Sequence, residues 1–323
     1  MEQLKFSIII PVYNVARYVR AALDSVCRQT HVNWEAICVD DGSTDGSEAI
    51  LDEYKNKDSR FKVIHQANAG VSAARNAALD SLTGDWALFL DADDVLEESA
   101  LARIEKTIFQ NAKLDLVRFL LKRFDENETC VFEKTDDDAC RIFDVSKSIR
   151  EMPLSGFTCV AYRADVVRRI RFEKYIVGED LLLWTQVSLV AQTMGCLNAT
   201  LYGYRMRLGS VSRMKETIVR IQGTIQTRKL ILAAYDVTEK EVPYLFWKRH
   251  LNVLVENVPL RMGRLSAAER KLIRNEWLMV LRGVLKLHHI PKFHKYRIWI
   301  IVLCPCFVAI LGKLPYQLKR RLK

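Results

Sequence analysis

Short apolar runs alternate with longer stretches of helical periodicity through the first hundred residues of the chain. Ser7-Ile8-Ile9-Ile10-Pro11-Val12 is rich in β-branched residues and uninterrupted by charge, the pattern of a central parallel strand covered on both faces. From Ala16 to Arg28 the apolar positions Val19, Ala22, Leu23 and Val26 recur at helical spacing, and Ala36-Ile37-Cys38-Val39 reads as a second strand. The alternation continues with a helix from about Gly46 to Lys55, a strand at Phe61–Ile64, an alanine-rich helix from Val71 to Leu82 and a strand at Trp86–Leu90. Together these elements predict a doubly wound α/β sheet. A helix from Ser99 to Phe109 and strands at Leu114–Leu121, Thr158–Tyr162 and Gly195–Tyr204 follow, with helical periodicity from about Met214 to His289. The acidic excursion Asp125 to Asp144 reads equally as a hairpin or a loop.

Ligands of such sheets collect beyond the carboxyl ends of the strands. Three polar clusters, Tyr13-Asn14, Asp40-Asp41 and Asp91-Ala92-Asp93-Asp94, each follow a predicted strand end. The last is the most informative. Carboxylates brought this close repel one another unless protonated or bound to a cation, and hard oxygen ligands suit Mg²⁺ or Mn²⁺, which commonly bridge to substrate phosphates. A nucleotide diphosphate is therefore the candidate ligand. The same run also reads as a solvated helix-capping turn.

Composition narrows the classes. With 323 residues, 50% hydrophobic, and only 13 Gly and 7 Pro, the chain is long enough for one large or two smaller domains and is not a disordered protein. The formal charge of +10 points to an anionic partner. The cations gather near the end, where Lys292, His294, Lys295 and Arg297 precede, and Lys313, Lys319, Arg320, Arg321 and Lys323 follow, the apolar stretch Ile298–Leu311. At about 14 residues this stretch falls short of the ~20 that span a bilayer. With Tyr296 and Trp299 at one end it reads as an interfacial anchor on a membrane surface, the other reading being a buried terminal helix. No zinc-finger spacing and no basic stripe interleaved with aromatics favours nucleic acid. The eight cysteines are scattered, and the N-terminus carries no secretory signal pattern, so a reducing cytoplasm is expected.

Five motifs in order give the first ~212 positions a resemblance to family 2 glycosyltransferases, the inverting group with the GT-A fold. Ser7 to Asn14 is similar to the family's opening strand, Val39 to Ser47 to its nucleotide-binding turn, and Asn68-Ala69-Gly70-Val71-Ser72-Ala73-Ala74-Arg75-Asn76 to its third motif. The D-x-D of Asp91 and Asp93 and the triplet Gly178-Glu179-Asp180 complete the series.

The resemblance implies a donor site that includes Asn14, in which Pro11 and Tyr13 border the nucleobase and Asp41 accepts a hydrogen bond from a pyrimidine N–H. Asn68, Gly70 and Ala92 would belong to the donor site too, Arg75, on the helix after the Gly70 turn, would reach the diphosphate, and Asp91 would lie near the ribose and sugar. Asp93 would hold Mn²⁺ or Mg²⁺. Asp180 would be the general base, and Arg207, in Tyr204–Ser212, a phosphate contact, with Arg205 as the competing register. Asn14 and Asp45 also read as helix caps, and Arg75 as the partner of a neighbouring acid. The Gln-x-x-Arg-Trp signature of processive synthases is missing, which implies one sugar per encounter.

The expectation is thus a GT-A domain over residues 1–212, a helical region over 213–290 and a membrane-associating tail over 291–323. Its function would be transfer from a nucleotide-sugar donor, a UDP-sugar, to a hydroxyl of a lipid-linked glycan or glycolipid acceptor at the inner face of the cell membrane, in surface polysaccharide synthesis. A metal-dependent phosphohydrolase or nucleotidyltransferase, and a non-catalytic nucleotide-sugar-binding module, are the competing readings.

Overall fold

The computed structural model describes residues 3–133, 138–145, 157–173, 179–207, 218–236, 250–263, 265–288, 290 and 292–303. Gly178, residues 208–212 of the Tyr204–Ser212 segment and residues 304–323 lie outside them. The chain divides into two units, one of residues 1–175 with 186–213 and one of residues 176–185 with 214–323.

The first unit is built on a mixed sheet. β1 (Phe6–Val12), β2 (Trp34–Asp40), β3 (Phe61–His65) and β4 (Trp86–Phe89) are parallel neighbours in the order β3-β2-β1-β4. Beyond β4 the order runs through β8 (Val160–Arg163), β6 (Leu116–Asp125), β9 (Thr193–Met206) and β5 (Val95–Leu96). β8 is antiparallel to both its neighbours, and β7 (Cys140–Asp144) lies antiparallel to β9, so the acidic excursion ends in a strand. The doubly wound expectation holds.

Its causes are those read from the pattern. Ile8, Ile9 and Ile10 of β1 are wholly buried, as a strand covered on both faces requires. The helix α1 (Ala16–Cys27) buries Val19, Ala22, Leu23 and Val26, its apolar stripe. The other helices of this half are α2 (Ser47–Lys57), α3 (Val71–Ser81) and α4 (Ala100–Gln110). Alanines at 74 and 78 on the buried side of α3 allow it to lie close to β1 and β2.

A buried acid ties the strands together. Glu35 of β2 accepts hydrogen bonds from Ser7 Oγ of β1 (2.6 Å) and from Thr83 N (2.6 Å) and Oγ1 (2.8 Å). Lys62 of β3 adds an ion pair at 2.7 Å and Lys5 another at 3.3 Å.

The second unit is helical. Its described helices include Ile218–Asp236, Val258–Met262 preceded by a π-helical turn at Val253–Asn257, Ala267–Leu285 and Lys292–Leu303. Ser266 and Glu269 form a reciprocal capping box at the start of the third. Ile221, Ile225, Leu232, Leu254, Ile273 and Leu281 are wholly buried, and Trp277 Nε1 donates to Leu254 O at 2.8 Å. In Lys292–Leu303, Ile298 is buried, whereas Tyr296 and Trp299 are 62% and 53% exposed. Among the described residues no helix is long and apolar enough to cross a membrane.

Candidate active site

The sheet register puts the sequence-predicted clusters on one edge. Val12 lies opposite Asp40, so β1 and β2 end together. Leu90 N donates to Ile9 O (2.9 Å), which brings the chain after β4 out beside them. Pro11 is half-buried near the end of β1, and Tyr13 just past it is 51% exposed. Asn14 turns the chain in a left-handed conformation (φ 49°), and its Oδ1 accepts from Thr44 N at 2.9 Å. Asp45 accepts from Ala16 N (2.8 Å) and Ser47 N (3.0 Å), so one carboxylate fastens the starts of α1 and α2.

Asp41 is almost wholly buried, and its carboxylate organises the turn that follows β3. Oδ1 accepts from Gln66 Nε2 (2.7 Å) and Ala69 N (2.8 Å), and Oδ2 accepts from Gly70 N (2.8 Å). A carboxylate has about four acceptor directions, so roughly one remains for a ligand. The turn presses on Gly42, where a Cβ would stand 2.9 Å from Asn68 N, and Gly70 carries the positive φ of 92° that leads into α3. Asn68 is thereby held at the exposed rim.

Arg75 of α3 is 5% exposed. Its guanidinium carbon lies 4.6 Å from the Phe157 ring centroid and 5.2 Å from that of Phe172, and Nη2 donates to Asp91 Oδ1 at 3.2 Å. Ala92 is buried behind it. Asp93 accepts from Arg207 Nε on its carboxylate and from Arg205 Nε on its backbone oxygen (2.8 Å). The two arginines of the Tyr204–Ser212 segment are thus distinguished: Arg207 meets the acid and Arg205 the backbone. Both guanidiniums stand over the Tyr18 ring, at 5.5 and 5.4 Å.

Tyr202 escapes sequence reasoning, and so do the contacts that join it and Arg205 to Asp94. Asp94, 1% exposed, accepts from Tyr202 Oη (2.7 Å) and Arg205 N (2.8 Å). Burial, then the neighbouring Asp91 and Asp93, push its carboxyl up to about 8. Tyr202 Oη also accepts from Asp91 N (3.2 Å), so one phenol on β9 sets the shape of the acidic turn. The doubled acid of Asp93-Asp94 was a signal for Asp94. Nothing in the local sequence marks Tyr202 or Arg205 as its partners. The cluster adjoins a cavity of about 970 Å³, which Arg205 and Tyr18 line together with Arg17, Arg103 and Glu126.

Asp180 opens the helix Glu179–Val190, its Oδ1 accepting from Leu181 N at 2.8 Å, in the stretch that belongs to the second unit. Among the described residues no group of three or more His, Cys, Asp and Glu side chains forms a metal cage. The donor set instead offers Asp93 and Asp91, two partly exposed carboxylates in the first unit. That fits Mg²⁺ or Mn²⁺ held by one or two acids plus phosphate oxygens.

The sequence profile described as Glycosyl transferase family 2 matches residues 7–170 of this chain. Glycosyltransferase GlyA of Streptococcus pneumoniae is 35% identical over 224 residues, covering 65% of this chain and 32% of that protein. The minor teichoic acid biosynthesis protein GgaB of Bacillus subtilis is 30% identical over 216 residues, covering 65% of this chain and 24% of that protein. The chain therefore spans about a third or less of the length of these two relatives. Among solved structures, S. aureus TarS 1–349 in complex with UDP-GlcNAc superposes with a TM-score of 0.70 at 21% identity, over 96% of this chain and 89% of that one. At that identity the likeness shows the fold.

Proposed function

Because the chain belongs to glycosyl transferase family 2, we propose that it moves a single sugar from a nucleotide-diphosphate sugar to a hydroxyl of a glycan acceptor, with inversion at the anomeric carbon. The observation that carries this reading is the meeting of Asp91 and Asp93 with Arg75 and Arg207 where the parallel strands end. Acids able to take a divalent cation and guanidiniums able to take phosphate are what a sugar diphosphate needs. A UDP-sugar is the donor we favour, supported by the fold shared with a protein solved in complex with UDP-GlcNAc.

In this reading Pro11, Tyr13 and Asn14 border the base, Asp41 uses its remaining acceptor direction on it, and Asn68 and Gly70 form the rim. Arg75 and Arg207 bind the diphosphate, and Asp91 and Ala92 border the ribose and sugar. Asp93, with Asp91 beside it, would hold Mn²⁺ or Mg²⁺, which supplies positive charge against the departing diphosphate. Asp180 takes the proton from the acceptor hydroxyl as that oxygen bonds to the anomeric carbon. The bond from that carbon to the phosphate oxygen breaks, and the nucleoside diphosphate leaves with the electron pair. Arg207, which pairs with Asp93 here, exchanges one anion for another when phosphate arrives.

The acceptor we propose is a lipid-linked glycan or glycolipid at the inner face of the cell membrane, in the synthesis of a surface polysaccharide. The name of the GgaB relative and the basic, apolar end of the chain support that choice. A panel of nucleotide sugars tests the whole reading, scored by thermal stabilisation and by Mn²⁺-dependent release of the nucleotide. One UDP-sugar should stand out in both assays. A panel in which none shifts the melting temperature, or in which release is indifferent to the sugar, would overturn it.

A further inference from the structure

We propose that Asn76 is a positioning residue for Arg75, acting through the backbone of Phe172. The proposal rests on the reading of Arg75 as a diphosphate contact and extends it to what holds the guanidinium in place.

Asn76 follows Arg75 on α3, about 100° further round the helix, so the two side chains reach different neighbours. The Asn76 carboxamide finds the main chain of Phe172, 96 residues away: Nδ2 donates to Phe172 O at 2.8 Å and Oδ1 accepts from Phe172 N at 2.9 Å. A primary amide has one donor end and one acceptor end, which match the N–H and C=O of an extended residue as a neighbouring strand would. Gln186 repeats this one residue earlier. Its Oε1 accepts from Arg171 N and its Nε2 donates to Arg171 O, both at 2.9 Å. Two amides therefore grip consecutive residues of one strap. The Arg171–Asp80 ion pair at 2.7 Å is exposed on both sides and adds little.

What the grip fixes is the Phe172 ring. It is 5% exposed and meets Phe89 and Phe157 edge-on at 5.5 and 6.0 Å. Phe172 and Phe157 form the aromatic floor for the Arg75 guanidinium, and Arg75 reaches Asp91 from that floor. Cation–π attraction depends on the ring lying within about 6 Å of the charge, so a shift of the strap moves the charge with it. Asn76 thus secures the floor beneath the residue that precedes it.

Asn76→Asp tests this with little change of shape. As a carboxylate the new side chain still accepts from Phe172 N–H, but two oxygens then face each other at Phe172 C=O; once protonated, it can donate there and both bonds return. Arg75 and Asp80 on α3, Arg171 and Glu173 on the strap and Asp91 beyond Arg75 are charged groups of the elements that meet here. They shift the midpoint of this recovery without changing its sign. In the full-length protein with Mg²⁺, UDP affinity should be about tenfold weaker than wild type at pH 8, with the gap closing towards pH 5. Affinity for uridine, which lacks the diphosphate, should stay within about twofold. Phe172→Leu should weaken UDP binding at every pH, and it decides the matter if Asn76→Asp does not fold. Equal losses for UDP and uridine, or a UDP loss that does not recover in acid, would make Asn76 a residue of the fold alone and overturn the proposal. So would wild-type UDP binding in both variants while Arg75→Gln weakens it. If Arg75→Gln itself leaves UDP binding unchanged, the diphosphate reading of Arg75 is what fails.

Discussion

Replacing Glu35 by Gln should destabilise the first unit in a way that depends on pH. The side chain is 3% exposed, and burial alone would raise its pKa. Hydrogen bonds from Lys62, Ser7 and Thr83 outweigh that and hold the carboxyl at about 2, against 4.5 in the unfolded chain. A folded value below the unfolded one means that the stabilisation is complete above about pH 5 and is lost as pH falls towards 2. A gap of roughly 2.5 units corresponds to about 3 kcal/mol, and exposure of the Lys5 and Lys62 side chains reduces it to roughly 2 kcal/mol. Gln keeps the shape but turns an NH₂ group towards donors, so the variant should lose about 2 kcal/mol or slightly more at pH 7. Urea unfolding of both proteins at pH 7, 5, 4 and 3.5 measures the difference, which should be flat down to about pH 5 and shrink below it. A difference under about 0.5 kcal/mol at pH 7, or one that does not change with pH, would refute the reasoning.

Three further outcomes concern the proposed site and surface. Asp93→Ala should abolish turnover and the thermal stabilisation that the donor confers in the presence of Mn²⁺; full activity of that variant in EDTA would sink the metal assignment. Asp180→Asn is nearly isosteric and should cut turnover by roughly 10²-fold or more while donor affinity survives, and loss of donor binding would move the residue into the nucleotide site or the fold. Since Ile298 is buried, point substitutions probe the helix Lys292–Leu303 more cleanly than truncation. Replacing the exposed Tyr296 and Trp299 by Ala should weaken the salt-resistant part of flotation with anionic liposomes, and unchanged flotation would remove that face from the membrane contact.

β1, the Ala36–Val39 run of β2 and β4 are legible because they are buried on both faces and so appear as apolar runs, whereas the edge strand β3, with Lys62 inside it, shows only a short pattern. β5 is not legible. Val95 and Leu96 become a strand only by pairing with Gly203 and Tyr202, more than a hundred residues away. β7 carries no clear signal, because Cys140–Asp144 is largely exposed and shows no apolar alternation. At the site, the acids and arginines were visible as residue types, but their partners were not. Asp41 looks in sequence like a ligand group, yet its three donors from Gln66, Ala69 and Gly70 meet it only once the turn has formed. Asn76 is visible in sequence only as the end of a motif, since the backbone it grips lies almost a hundred residues on.

The charges around the acidic turn explain why donor and cation belong together in the proposed reaction. Arg75 faces Asp91, Arg207 faces Asp93, and Arg205 packs against the same turn, so each acid has a cation or a polar donor beside it. A diphosphate arriving alone would draw Arg207 away and leave Asp93 beside added negative charge. A divalent cation arriving alone would have to displace Arg207 from Asp93. Arriving together, they would let Arg207 move to phosphate while Asp93 took the cation, and the balance of charge would be kept. Each ligand would then raise the affinity for the other by the same factor. For that reason the contribution of Asp93 is to be read from donor binding in the presence of Mn²⁺, where the exchange can occur, rather than from either ligand by itself.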